Sequence, residues 1–254
     1  IDETERLAES EHRLLEGQRE FVRDASHELR TPITVARGHA ELIRDSHVNG
    51  QVASDAGVVL DELGRLSRLS ERLLILAAAD DPGFLSQTDI EVEPLVVGLM
   101  RRWSATAERG WQVRVAVEGT IYADRERLET ALDALMENAV KATDEGSSIL
   151  VGSRGDGPRL VLEVTDEGRG ISAEDLPRIF EPFSKIEPDR ARKNGGTGLG
   201  LSIAKAIVDA HSGSIAVESE EGRSTTFRIT LPGFRPNLDQ VDEGAARSDG
   251  LNSS

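Results

Sequence analysis

The sequence of 254 residues contains no cysteine, has few basic side chains relative to acidic ones, and lacks any long apolar run. Without cysteine, disulfide bonds and cysteine-ligated zinc sites are excluded. The formal net charge of −16, from 30 basic and 46 acidic residues, argues against a surface that holds phosphodiester backbones, so we expect no nucleic acid partner. A membrane-spanning helix needs roughly 20 apolar residues, and because no run approaches that length we expect no membrane contact within this stretch.

Helical patterns dominate the first part of the chain. Residues 1–20 form a charged helical pattern with apolar residues spaced by sevens, which we expect to continue a longer helix from upstream. Within 21–80, apolar residues at helical spacing predict two long antiparallel helices with a turn near Gly50. A helical hairpin is too thin to shield both apolar stripes. We therefore expect a homodimer that completes a four-helix bundle.

The rest of the chain has a mixed pattern. Pro82 and Gly83 end the helical region, and we interpret 81–89 as a linker. Over 90–233, strand patterns alternate with helical ones, which indicates a sheet with helices on one face. The tail 234–254 is polar and rich in Gly, Ser and Asp, so we expect it to be disordered. The expected fold class is multidomain, with an all-α hairpin followed by an α+β sandwich.

His27 lies in the helical stretch FVRDASHELRTP, residues 21–32. Phe21, Ala25 and Leu29 belong to an apolar stripe, and His27 projects away from the middle of that stripe. The histidine is therefore expected to stand in solvent, since a core histidine would lie on the stripe. On this pattern alone, an ordinary solvated side chain is favoured over a reactive group.

Three motifs in the second region point to an anionic ligand. ENAVK places Asn138 and Lys141 on one helix, DEGRG (166–170) ends a strand, and GTGLGL opens a helix. A glycine-rich turn at a helix N terminus presents unpaired amides and the positive end of the helix dipole, which suits phosphate oxygens. The glycine spacing fits neither a Walker loop nor a dinucleotide fingerprint. Each motif alone is also compatible with ordinary turn and surface residues.

In this order, the motifs closely resemble those of bacterial sensor histidine kinases of two-component systems. SHELRTP is similar to the phosphoacceptor box, ENAVK to the N box and IFEPF to the F box. DEGRG and GTGLGLSI resemble the two glycine boxes. The resemblance extends from about Gln18 to Pro232. It implies a dimerisation and histidine phosphotransfer domain, followed by an ATP-binding domain of the gyrase, Hsp90 and histidine kinase type.

The resemblance assigns roles to three residues of the first domain. His27 would accept phosphate from ATP and pass it to an aspartate of a response regulator. Glu28 would take a proton from the imidazole and orient the ring, and Thr31 would place the water that removes phosphate from the regulator. The alternatives are a salt-bridge partner for Glu28, and for Thr31 a residue that favours the bend at Pro32.

The resemblance also implies a site for ATP and Mg²⁺. Asp166 would accept the adenine amino hydrogen, and Asn138 would offer its oxygen to Mg²⁺ near the charge of Lys141. Glycines would let the backbone approach the base and the phosphates, and SKIEPDRARKN resembles a mobile ATP lid. The expected nucleotide-binding residues are Asn138, Lys141, Asp166, Gly168, Gly170, Phe183, Lys185, Gly196, Thr197, Gly198, Leu199 and Gly200, with Asn138 as the metal ligand.

One position departs from the family pattern. Family members often have a second asparagine four residues before Asn138, where this sequence has Ala134, which implies weaker metal coordination or a water in its place. Two other functions stay open. The first is a non-catalytic pseudokinase scaffold, for which Ala134 is a hint. The second is an ATPase of the gyrase and Hsp90 type, which needs a hydrolytic glutamate on the N-box helix and has no use for SHELRTP.

The resemblance further implies the setting of the protein. Its partners would be a second copy of the chain and a response regulator receiver domain, toward which it would act as both kinase and phosphatase. Residues 1–20 would be a signalling helix, 21–80 the phosphotransfer domain and 90–233 the catalytic ATP-binding domain. We expect a cytoplasmic location, as the inner part of a receptor whose full-length chain is anchored in a membrane.

Overall fold

The computed structural model describes Leu29 and residues 33–45, 50–114, 117–184 and 198–237. The chain divides into two compact units, and the division falls between Phe84 and Leu85. Within the described residues, each unit has its own secondary structure. The predictions for 1–20, for the turn before Gly50 and for most of the tail lie outside the described residues.

The first unit is helical. Residues 33–45 form helix α1, and Gly50–Ala78 form the 29-residue helix α2. Much of the apolar surface of this unit faces solvent within one chain. Leu42 on α1 is 70% exposed, and Val58 on α2 is 68% exposed. Exposed apolar side chains on a helical unit are typical of an interface with further helices.

The second unit contains a small antiparallel sheet of three strands. Strand β1 (Thr88–Glu91) pairs with β3 (Gly119–Ala123), which pairs in turn with β8 (Phe234–Pro236). The prediction of a disordered tail from residue 234 is therefore wrong for residues 234–236. Phe234 is 4% exposed, and its ring fills the space where side chains on Gly119 and Gly155 would lie.

Five strands form the large sheet, in the order β2, β4, β5, β7, β6. Strands β2 and β4 run parallel, and all other neighbours are antiparallel. The central strand β5 has five buried residues among its eight and ends at Asp166. The strands are Gly110–Arg114 (β2), Ser148–Asp156 (β4), Arg159–Asp166 (β5), Ser214–Glu220 (β6) and Ser224–Pro232 (β7).

Three helices, α3 (Val92–Ser104), α4 (Arg125–Ala142) and α5 (Gly200–Ala210), accompany the large sheet. Helix α4 contacts both other helices and β5, so the three form one layer on the sheet. The buried residues of α4 recur every three or four positions, as an amphipathic helix requires. This arrangement confirms the predicted α+β layers. The large side chains fully buried between these layers include Leu128, Leu132, Leu135, Leu162 and Phe227.

Helix α5 ends in a Schellman motif that has serine where glycine is usual. The N–H of Ser212 donates to the carbonyl oxygen of Asp209 at 2.8 Å, and the N–H of Gly213 donates to that of Val208 at 2.9 Å. Ser212 has a φ of 57°, in the left-handed region. A residue with a Cβ pays a conformational penalty there of about 1 kcal/mol.

We expect Ser212→Gly to stabilise the second unit by about 0.5 to 1 kcal/mol, because glycine adopts a positive φ without strain. Urea unfolding of both proteins measures the difference. Ser214→Gly in β6 is the matched control, and it is expected to destabilise because glycine weakens a strand. A Ser212→Gly variant no more stable than the wild type would contradict the prediction.

Candidate nucleotide-binding site

Asp166, at the end of β5, is the most unusual polar residue of the second unit. Its side chain is completely buried, at 0% exposure. Oδ1 accepts a hydrogen bond from the N–H of Gly168 at 3.0 Å, whereas Oδ2 has no hydrogen-bond partner among the described residues. An unsatisfied buried acceptor costs about 1 to 3 kcal/mol. Oδ2 therefore has hydrogen-bonding capacity that the described residues leave unused.

The same burial controls the charge of Asp166. Burial raises the pKa of its carboxyl to about 6, while the hydrogen bond from Gly168 and the charge of Arg169 act in the opposite direction. The folded-state pKa thus lies above the ordinary value of 3.8. In the ligand-free protein this group favours folding at low pH, and that contribution is lost as the pH rises through about 6.

We expect ATP affinity to fall as the pH drops below about 6, because a donor to Oδ2 binds the ionised carboxylate in competition with a proton. Isothermal titration calorimetry from pH 8 to pH 5 measures the effect, up to tenfold per pH unit below the pKa. Asp166→Asn is the control, since it retains the titration of the ATP phosphates. The prediction would be contradicted if the ratio of the ATP affinities of the wild type and Asp166→Asn stayed constant from pH 8 to pH 5.

Two glycines shape the loop after Asp166. A Cβ on Gly168 would lie 2.4 Å from the carbonyl oxygen of Ala142, at the end of α4. Gly170 has a φ of 68°, and a Cβ there would lie 2.1 Å from the carbonyl oxygen of Glu220. Both positions therefore require glycine, because the loop closes on the protein's own backbone. The resemblance implied that these glycines let the backbone approach the adenine base. It did not indicate that they also lie against the protein's own backbone.

Helix α4 carries Asn138 and Lys141, both half-buried. The Nζ of Lys141 donates to Oε1 of Glu137 at 2.6 Å, so an incoming phosphate would compete with Glu137 for this cation. The amide of Asn138 makes no hydrogen bond to any residue that the structure describes. It remains available to a ligand.

Ala134, at the position where family members often have a second asparagine, packs against Gly200 of the second glycine box. The Cβ of Ala134 lies 3.8 Å from the place that a Cβ on Gly200 would occupy. Asn138 is one turn further along α4 and shares this face. The structure therefore brings the face of α4 that carries Asn138 close to the first residue of α5.

The F box and the second glycine box also meet. Phe183 has a φ of 62° and is 59% exposed. Gly198 has a φ of 74°, and a Cβ on it would lie 2.9 Å from the Cα of Phe183. Leu199 is fully buried beside this contact. The remaining expected site residues lie outside the described part of the chain: His27, Glu28, Thr31, Lys185, Gly196 and Thr197.

A buried hydrogen-bond network that the sequence did not predict joins the start of α4 to the end of α5. Asp124 caps α4, and its carboxylate accepts hydrogen bonds from the N–H of Arg127 at 3.0 Å and of Ser86 at 2.7 Å. The N–H of Asp124 donates to Nε2 of His211 at 3.0 Å, and Nδ1 of His211 donates to the carbonyl of Ile207 at 2.8 Å. These two hydrogen bonds fix the orientation of the His211 ring. Asp124 and His211 are 87 residues apart, so no local pattern connects them.

A five-stranded sheet covered by helices, with a buried carboxylate after the central strand and a glycine turn before α5, defines a nucleotide-binding domain of the gyrase, Hsp90 and histidine kinase class. The family model described as "Histidine kinase-, DNA gyrase B-, and HSP90-like ATPase" matches residues 123–234. The model described as "His Kinase A (phospho-acceptor) domain" matches residues 17–82. The chain belongs to the sensor histidine kinases and carries the two domains of their catalytic core.

Known proteins support the same assignment. Sensor protein SrrB of Staphylococcus aureus strain N315 is 34% identical over 241 residues, which cover 88% of this chain and 39% of SrrB. The chain thus spans well under half the length of the curated relatives it matches.

Among the described residues, every helix is too short or too polar to cross a bilayer.

Solved histidine kinases share the fold. Full-length ShkA in complex with AMPPNP aligns with a TM-score of 0.73 at 28% identity, over 86% of this chain and 46% of ShkA. Acinetobacter baumannii AdeS gives a TM-score of 0.55 at 26% identity, over 82% of this chain and 98% of that one. Mycobacterial MprB gives 0.53 at 25% identity, over 60% of this chain and 100% of that one.

Proposed function

We propose that this chain transfers the γ-phosphoryl group of ATP to His27 and then to an aspartate of a response regulator. The observation that carries the proposal is the buried, unpartnered Oδ2 of Asp166, because the amino group of adenine is a donor that would satisfy it. The AMPPNP bound to the related ShkA supports a nucleotide ligand. The phosphoacceptor domain in the same chain supports a protein acceptor over water.

The phosphates would bind between α4 and the start of α5. Backbone amides at Gly198 and Gly200 would face the phosphate oxygens, with Lys141 nearby as a cation. Asn138 fits a role as Mg²⁺ ligand, since its amide is unpaired among the described residues and shares a helix face with Ala134. No cluster of three acidic or histidine side chains accompanies it in the described chain, so one amide oxygen would be the main protein ligand. Bound Mg²⁺ would neutralise phosphate charge.

The transfer step would occur in line at the γ-phosphorus. One imidazole nitrogen of His27 would form the new bond to phosphorus while the bond to the β–γ bridging oxygen breaks and ADP leaves. Glu28 would accept the proton from the other ring nitrogen, so the phosphorylated ring stays neutral. The contribution of the second unit would be positioning and charge neutralisation.

The partners follow from the same proposal. The exposed apolar residues of α1 and α2, such as Leu42 and Val58, support a homodimer through the phosphotransfer domain, proposed as 21–80. A receiver domain would take the phosphoryl group from His27, and Thr31 would serve the reverse, phosphatase activity. The full-length protein is proposed to be membrane-anchored, with this core in the cytoplasm.

Ala134 favours one other function, a scaffold that binds partners without catalysis, because a usual metal-side asparagine is absent. Incubation with ATP labelled at the γ-phosphate separates the candidates. Acid-labile, alkali-stable label that is lost in His27→Ala supports the kinase. ATP turnover without protein label would support a gyrase-type ATPase, and neither label nor turnover would support the scaffold. His39→Ala, on α1, is the matched control and is expected to retain the label.

A further inference from the structure

Arg109 lies outside all of the sequence motifs, directly before β2, yet its guanidinium binds the C-terminal end of α4. Nε donates to Oγ1 of Thr143 at 2.9 Å. Nη2 donates to the carbonyl oxygens of Thr143 at 3.0 Å and Val140 at 3.3 Å, and Nη1 donates to that of Glu108 at 2.9 Å. The last carbonyls of a helix have no partner within it, and a cation at this end also interacts favourably with the negative end of the helix dipole. Arg109 therefore fixes this end of α4.

The same helix end contacts the loop that follows Asp166. The carbonyl oxygen of Ala142 accepts a hydrogen bond from the N–H of Arg169 at 3.2 Å. It also lies 2.4 Å from the place that a Cβ on Gly168 would occupy. Gly168 in turn donates its N–H to Oδ1 of Asp166. The end of α4 is thus held by Arg109 on one side and packs on the Asp166 loop on the other.

We propose that Arg109 is a positioning residue for the adenine end of the nucleotide site. It acts through the last turn of α4, without touching the nucleotide. By fixing Ala142 it keeps Gly168 bound to Oδ1 of Asp166, which leaves Oδ2 for the ligand. This inference rests on the proposed function, because it concerns the carboxylate that would bind the adenine amino group.

A purely structural role makes a different prediction. Loss of Arg109 lowers the melting temperature in either case, since it leaves carbonyls of α4 without a partner. Only a positioning role also changes how well the site distinguishes adenine from a purine that lacks the 6-amino group. The informative quantity is therefore the ratio of the dissociation constants of purine riboside triphosphate and ATP, measured well below the melting temperature.

Arg228 offers a matched control. It donates charged hydrogen bonds to Glu163 at 2.7 Å and Glu218 at 2.9 Å. Its neighbours Phe227 and Ile229 are buried under the helices, so Arg228 lies on the opposite face of the sheet from α4. Arg228→Ala removes an arginine of similar bonding without disturbing the Asp166 loop.

The test is calorimetric titration of the whole chain and its variants with both nucleotides. We expect the wild type to prefer ATP by about tenfold or more, as one hydrogen bond to a charged group allows. Arg109→Ala should lose most of that preference through weaker ATP binding, and Arg109→Lys, which keeps the charge but not the fork, should lose part of it. Arg228→Ala should keep the wild-type preference.

A wild-type preference retained in Arg109→Ala would overturn the inference while leaving the proposed function intact. If Arg109→Ala does not fold, an undiminished preference in Arg109→Lys would overturn it equally. Absence of any preference in the wild type would overturn both this inference and the reading of adenine by Asp166.

Discussion

Asp166→Asn is expected to weaken ATP binding by about tenfold to a hundredfold and to change GTP binding much less. The carboxylate would accept a hydrogen bond from the exocyclic amine of adenine, and guanine has a carbonyl oxygen at that place. Loss of one charge-assisted hydrogen bond costs about 1.5 to 3 kcal/mol, which corresponds to this change in affinity. Calorimetric titration of both nucleotides measures it.

Asp156→Asn is the matched control for this change. Asp156 ends β4, its side chain is 54% exposed, and it forms an ion pair with Arg159, so its replacement removes one acidic charge away from the site. The control is expected to bind both nucleotides like the wild type. An equal loss of ATP and GTP affinity in Asp166→Asn, or no loss at all, would contradict the prediction. Asp166 would then be a turn residue that does not distinguish adenine from guanine.

Glu28→Ala and Thr31→Ala are expected to separate the kinase activity from the phosphatase activity. Glu28→Ala should lower the rate of His27 phosphorylation about 10² to 10⁴-fold, because it removes a positioned base, and should leave ATP affinity nearly unchanged. Thr31→Ala should retain autophosphorylation but slow the dephosphorylation of the regulator. Label incorporation and regulator dephosphorylation are measured on both variants.

Glu41→Ala is the control for the loss of a carboxylate from the first unit, since Glu41 forms an exposed ion pair with Arg37 across one turn of α1. It should leave both rates intact. If Thr31 only favours the bend at Pro32, Thr31→Ala would lower both rates together along with the melting temperature. Such a parallel loss would refute the division of roles.

The secondary structure of the second unit was largely predictable because its signals are local. Strand patterns that alternate with helical ones were predicted over 90–233, and the structure has strands there, among them Ser148–Asp156 and Arg159–Asp166. The β8 strand was missed because its three residues are too few to carry a pattern and its stability comes from pairing with β3.

The candidate site was only partly accessible from the sequence. The motifs pointed to Asp166 and Asn138, but the unpartnered Oδ2 depends on how β5 and α4 pack, which no local pattern encodes. Arg109 shows the same limit. A surface arginine and an arginine that closes a helix end have the same sequence context, and only the contact with Thr143, 34 residues away, distinguishes them.

The most direct test of phosphoryl transfer from the ATP site to His27 is peptide mapping after reaction with labelled ATP. Trypsin cleavage after Arg23 and Arg30 releases the peptide DASHELR, which contains His27 as its only histidine. We predict acid-labile label in this peptide from ATP labelled at the γ-phosphate and none from ATP labelled at the α-phosphate. The label should be strongly reduced in Asp166→Asn at an ATP concentration near the wild-type dissociation constant. Label confined to another peptide, or no label in this one, would contradict the assignment of His27 as the acceptor.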